Sequence, residues 1–260
     1  MDYKTLIVEE NIDYILLKIN RPDKLNAINL EVVREFRDFI STTEKKENIR
    51  AIILTGSGEK AFVAGADIKE MANFNVLEAI EFAKSGINIL KMMESSSKVF
   101  IAAVNGYAFG GGFEMALACD IIIASKNAKF GFPEVSLGII PGFGGTQNLP
   151  RVVGQYIAKE LILSGKPIEA DRALQLGIVS KVVEKDKLLD EALAMVKNIT
   201  KNGPLSVAAA KDSIVNGLNM SKSEGFNYES LAFSRLFSTN DQKEGMKAFL
   251  EKRKANFTAK

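Results

Sequence analysis

Residues 100–124 read FIAAVNGYAFGGGFEMALACDIIIA. Phe100–Val104 is an unbroken apolar run of strand length, and Ile121–Ala124 is a second. Between them lie a turn at Asn105-Gly106, the run Gly110-Gly111-Gly112 and an apolar helical stretch through Ala118. Two buried strands joined through a helix predict an α/β core built by crossover connections.

Upstream the pattern repeats. Thr5–Glu9 and Tyr14–Ile19 read as strands around the turn-prone Asn11-Ile-Asp13. Glu31 to about Lys45 carries Val32, Phe36, Phe39 and Ile40 at helical spacing. Ala51–Leu54 is a short buried strand ending at Thr55-Gly56-Ser57-Gly58; a loop from Lys60 to Ala66 leads to Asp67, and a helix covers Val76 to Met93. Downstream of Val183 the strands stop. Leu188–Ile199, Pro204–Asn216, Ser221–Ser238 and Asp241–Asn256 read as successive amphipathic helices. The expected organisation is a core over residues 1–195 and a helical oligomerisation region over 196–260.

The 260-residue chain has 34 Lys and Arg against 32 Asp and Glu, a net charge of +2, which gives no basic excess for nucleic acid. The longest apolar runs are far short of the roughly 20 residues of a membrane helix. The N-terminal stretch, acidic and alternating, does not read as a signal peptide, so a reducing, cytoplasmic setting is expected. The chain has no histidine and one cysteine, Cys119. Histidine bases, Ser-His-Asp and Cys-His machinery, and histidine or cysteine metal clusters are thereby excluded. Acid–base work near neutral pH must fall to carboxylates, lysine or tyrosine. Cys119 reads as a structural thiol.

Three glycine-rich stretches invite a phosphate-binding reading: Gly56-Ser-Gly58, Gly110–Gly112 and Gly142-Phe-Gly144-Gly145. None fits a P-loop, since Gly165-Lys166 runs into Pro167, and none fits GxGxxG, since Gln147 stands at the third glycine. Gly110–Gly112 reads as a tight strand-to-helix turn. The same turn would present bare backbone amides at a helix N-terminus, suited to an oxygen gaining negative charge. Glu114 and Glu134 both lie in apolar contexts, the second in Phe130-Gly-Phe-Pro-Glu134. Taken singly, Glu114 reads as a first-turn glutamate and Glu134 as a loop glutamate. Two carboxylates sharing an apolar site would divide into one acid and one base, the pair needed to add or remove water.

At these residues the chain resembles the crotonase (enoyl-CoA hydratase/isomerase) superfamily, and within it the short-chain enoyl-CoA hydratases. The resemblance runs from Asn20-Arg-Pro-Asp-Lys-Leu-Asn-Ala27 through Ala61-Phe-Val-Ala-Gly-Ala-Asp-Ile-Lys-Glu-Met71, Ile101–Glu114, Phe130–Glu134 and Gly138–Gln147 to Glu244–Phe257. It implies a spiral of ββα units with a helical C-terminal trimerisation region, and a homotrimer or dimer of trimers. It implies an acyl-CoA substrate with no separate cofactor or metal, coenzyme A being part of the substrate. It places an oxyanion hole on the amides of Ala66 and Gly111, catalytic carboxylates on Glu114 and Glu134, and a water-positioning amide on Gly142. It also implies CoA contacts at Lys24, Leu25, Ala27, Ala64, Ala66, Asp67, Ile68, Lys69 and Gly111. The activity implied is reversible syn hydration of a trans-2-enoyl-CoA to a 3-hydroxyacyl-CoA. Other crotonase chemistries, such as enoyl-CoA isomerisation, and a non-catalytic CoA- or RNA-binding role are the alternatives. Three positions depart from the family pattern without removing a mechanistic residue: Phe132, Asn148 and Ser97-Lys98-Val99.

Overall fold

The structure, a computed structural model, describes residues 3–260. Its elements run β1 (Leu6–Glu10), β2 (Tyr14–Ile19), α1 (Leu30–Thr43), β3 (Ala51–Gly56), β4 (Ala61–Val63), α2 (Ile68–Met71), α3 (Val76–Ser95), β5 (Val99–Val104), β6 (Tyr107–Phe109), α4 (Gly111–Leu117), β7 (Ile121–Ser125) and β8 (Lys129–Gly131). Then follow α5 (Gly145–Ser164), β9 (Ile168–Glu169), α6 (Ala170–Gln175), β10 (Lys181–Val183), α7 (Leu188–Thr200), α8 (Pro204–Gly217), α9 (Lys222–Leu236) and α10 (Asn240–Leu250).

The strands form two sheets. One is six-stranded in the order β1-β2-β3-β5-β7-β10, with β1 antiparallel and the rest parallel; the other is four-stranded in the order β4-β6-β8-β9. Each turn of the chain sends a long strand to the first sheet, a three-residue strand to the second, and then a helix. The units β3-β4-α3, β5-β6-α4 and β7-β8-α5 are three such turns, the spiral the resemblance implies. Five strands of the first sheet (β1, β2, β3, β5 and β7), the helical crossovers and the C-terminal helices agree with the sequence reading; the edge strand β10 was not expected. The second sheet does not: Lys60–Ala66 is not all loop, because Ala61–Val63 pairs in parallel with β6. The helical stretch α5, broken at Gly154 (φ 76°, ψ 162°), was likewise not expected, and the last helix stops at Leu250 rather than Asn256.

Crossover helices cover one face of the first sheet and α7, after the last strand, covers the other, so its central strands are buried throughout. On one face Ile52, Leu54, Phe100, Ala102 and Val104 join a core with Phe36, Phe39 and Leu90 from α1 and α3. On the other, Ile53, Ile101, Ala103 and Ile123 meet Leu188, Ala192 and Val196 of α7. The boundary expected after residue 195 falls inside α7.

Beyond α7, a buried lysine ties the helices to the core. Lys211 of α8 donates to the carbonyls of Met93 and Lys98, each at 2.8 Å, and lies 2.9 Å from Asp120 Oδ2. Asp120 in turn accepts from the Phe100 amide at 2.8 Å. Removing one partner of a buried pair strands the rest. Lys211→Met is therefore expected to lower unfolding free energy by roughly 3 kcal/mol, measured by urea titration.

Candidate active site

Three parallel strands of the second sheet deliver the site. Beyond the C-terminal end of β4 comes Ala66, beyond β6 come Gly111 and Glu114, and beyond β8 comes Glu134. Crevices outside the carboxyl ends of parallel strands are where α/β proteins bind ligands.

Ala66 sits in an isolated parallel bridge with Ile28. Its bonds are made by its neighbours: Ile28 N donates to Gly65 O at 2.8 Å, and Asp67 N donates to Ile28 O at 2.7 Å. The Ala66 amide is left unpaired by that pattern. Gly111 opens α4, so its amide has no partner within the helix. Gly110, just before it, takes φ 49° and ψ −125°, a conformation that needs glycine. The chain thus presents, at the ends of neighbouring strands, two amides without a partner among the described residues, and both residues line a cavity of about 760 Å³.

Glu114, in the first turn of α4, is 1% exposed. Its Oε1 accepts from Phe143 N at 2.8 Å and Gly145 N at 2.7 Å. Burial pushes its carboxyl up to about 7, and the negative charge of Glu134 acts the same way, while the Gly145, Phe143 and Gly144 amides oppose both. Glu134 lies in a 3-10 turn, Pro133–Leu137, closed by Gly138 at φ 76°. It is half-buried, and burial raises its carboxyl above the usual range. Its Oε2 is buried with no hydrogen-bond partner among the described residues. A Cβ built on Gly110 would stand 2.5 Å from Glu134 Oε1, so the carboxylate packs directly on the glycine turn. The two glutamates that sequence reasoning paired thus line one cavity with the two amides.

The other expected residues divide. Ala64, Ile68 and Gly142 line the same cavity, whereas Lys24, Leu25, Ala27, Asp67 and Lys69 are not among its lining residues. Asp67 is held by Arg21 at 2.9 Å and caps α2 by accepting from Lys69 N, contacts that keep its carboxyl below the usual range. The Leu25 carbonyl accepts from Ala64 N at 3.0 Å, and Arg21 donates to the Ala27 carbonyl at 2.6 Å. The loop at 21–28 therefore braces the segment carrying Ala66. Lys24 is exposed beside Asp23.

Sequence reasoning missed two positioning groups. Asn26, fully buried at φ 60°, accepts from Arg21 N and donates to Ser57 O and Ala61 O, locking the brace to β4. The available signal was a polar residue next to Leu25 in a stretch with turn character. Phe143 and Gly145 were read only as part of a glycine-rich loop, yet their amides hold Glu114.

A family model described as Enoyl-CoA hydratase/isomerase matches residues 9–260. The chain belongs to that family. It is 45% identical to a crotonyl-CoA hydratase of Syntrophomonas wolfei over 260 residues, the whole of both chains. It is 46% identical to a short-chain-enoyl-CoA hydratase of Clostridium acetobutylicum over 254 residues, 98% of this chain and 97% of that one. Among solved structures, an enoyl-CoA hydratase from Bacillus anthracis superposes with a TM-score of 0.96 at 37% identity, covering 99% of this chain and 100% of that one. That superposition takes in both the α/β core and the C-terminal helices of this chain.

Proposed function

We propose that the chain is an enoyl-CoA hydratase, a hydro-lyase that adds water across the double bond of a trans-2-enoyl-CoA to give a 3-hydroxyacyl-CoA. The observation that carries this reading is the pairing of Glu114 and Glu134 in one apolar cavity beside the free amides of Ala66 and Gly111. The names of the relatives, crotonyl-CoA hydratase and short-chain-enoyl-CoA hydratase, point the same way.

In this mechanism the thioester oxygen accepts from the Ala66 and Gly111 amides. Glu114 takes a proton from water as the water oxygen bonds to C3. The π electrons move onto the thioester as an enolate, which the two amides stabilise; one such donor is worth about 3 kcal/mol. Glu134 then gives its proton to C2. Glu114 suits the base role because two amides favour its ionised form, whereas Glu134 has no donor on Oε2. In the open cavity burial lifts Glu114 strongly. A thioester lying against the half-buried Glu134 dries that carboxyl further and biases the shared proton toward it. The carboxylates and amides supply the acid, base and electrophilic groups, so the reading calls for no metal or redox cofactor. Gly142 is assigned a water contact through its amide.

The experiment is the loss of conjugated-thioester ultraviolet absorbance when crotonyl-CoA is mixed with the enzyme. Turnover supports the reading; none with any enoyl-CoA rejects it. Gly110→Ala supplies a sharper test. The new Cβ collides with Glu134 Oε1 and strains a left-handed φ. It should cut kcat by about 100-fold through misplacement of the acid, with helical circular dichroism retained.

The same reading extends to assembly and setting. Ile214 of α8, Leu218 just past its end, and Phe226, Leu231 and Phe233 of α9 are exposed, which suits a homotrimer or a dimer of trimers, resolvable by light scattering. No helix among the described residues is long and apolar enough to cross a membrane. A cytoplasmic setting suits a chain whose one thiol, Cys119, is buried and pushed up by burial.

A further inference from the structure

We propose that the phenyl ring of Phe143, seated against Gly86 of α3, ends the acyl channel and restricts the enzyme to short enoyl chains. The inference rests on the hydratase reading and names which members of that substrate class the site accepts.

The ring is fixed at both edges. A Cβ built on Gly86 would stand 2.4 Å from Cδ1 and Cε1 of Phe143, so the ring presses directly on the helix backbone. A Cβ built on Gly111 would stand 3.5 Å from Cδ2 and Cε2 on the other edge. The phenyl therefore spans the gap between α3 and the start of α4. Phe82 packs on it with centroids 5.1 Å apart, and Phe74 packs on Phe82 at 5.6 Å. Phe143 and Phe82 are 6% and 4% exposed, so neither can swing into solvent without giving up buried apolar area. An interior glycine in α3 costs up to about 1 kcal/mol of helix stability; room for the Phe143 ring is what its missing side chain provides.

The wall stands next to the chemistry. The amide of Phe143 holds Glu114, the group assigned to water at C3. An acyl tail continuing beyond C3 runs along the cavity face that this ring closes. A short tail fits against the aromatic wall, and a long one must displace it.

The test compares kcat/KM for crotonyl-, hexenoyl- and decenoyl-CoA in wild type, Phe143→Ala, Phe82→Leu and Gly86→Ala. Wild type should favour crotonyl- over decenoyl-CoA. Phe143→Ala and Phe82→Leu should each raise the decenoyl-to-crotonyl ratio, by about tenfold or more for the first, since a few methylenes in an apolar pocket are worth that. Gly86→Ala drives the ring toward the cavity and should lower the hexenoyl-to-crotonyl ratio. Ratios unchanged in folded variants, or a wild type that prefers decenoyl-CoA, would overturn the proposal. Affinities of the saturated butyryl- and decanoyl-CoA, measured by calorimetry on the same proteins, give the same comparison without turnover. If wild type hydrates none of the enoyl-CoAs, the hydratase reading fails. The wall then stands if Phe143→Ala gains decanoyl-CoA affinity relative to butyryl-CoA, and falls if it does not.

Discussion

Glu114→Gln is expected to slow hydration of crotonyl-CoA by about 10²–10⁴-fold, the usual contribution of a positioned general base. The amide oxygen of Gln can still accept from Phe143 N and Gly145 N, so the loop geometry should survive and acyl-CoA affinity should change little. In wild type, kcat/KM should fall as pH drops through about 7, where Glu114 takes up its proton in the free enzyme. The variant should be the more stable protein at alkaline pH. The Glu114 carboxyl is raised to about 7 in the folded chain from an ordinary value of 4.5. Below the lower value it is protonated in both states and folding is not opposed. Between the two, the unfolded chain ionises first, and stability is lost as pH rises. The loss, on the order of a few kcal/mol at most, is absent from Glu114→Gln. Thermal unfolding at pH 8 should show the variant melting above wild type, with the gap closing towards pH 5. Retained hydratase turnover in the folded variant would contradict the assigned base.

The chemistry was easier to read from the residues than the scaffold that assembles it. Without histidine, acid–base work fell to carboxylates, lysine or tyrosine, and the apolar settings of Glu114 and Glu134 singled out that pair. The central strands of the first sheet, β3 and β5, announce themselves as apolar runs because both of their faces are buried. The second sheet does not. Tyr107-Ala-Phe109 and Lys129-Phe-Gly131 are too short to show an alternation, and their pairing partners lie far along the chain. Yet this sheet places Ala66, Gly111 and Glu134 side by side, because each follows the end of a neighbouring parallel strand. Nor could a sequence pattern show that backbone amides at 143 and 145 hold Glu114. Amides are common to every residue except proline, and only the fold aims them.

Glu134→Gln should likewise lower hydration by about 10²–10⁴-fold, and its second effect separates a coupled pair from two independent carboxylates. The Glu134 charge is one of the causes that raise Glu114; burial is the larger. Replacing the carboxylate with a neutral amide removes the repulsion and leaves the burial. The Glu114 carboxyl should therefore titrate below its wild-type value of about 7, yet still above an ordinary glutamate. Carbon-13 NMR of labelled glutamate carboxyls, with Glu114→Gln to assign the resonance, reads this directly and needs no turnover. The residual activity of Glu134→Gln should keep its acid limb, displaced to lower pH, because the base is still Glu114. A Glu114 titration identical with and without the Glu134 carboxylate would mean that the two groups do not share a proton. One acid and one base at neutral pH would then require some other source. A shift in the stated direction, together with the loss of rate, ties the division of roles to the repulsion between a buried and a half-buried carboxylate in a single cavity.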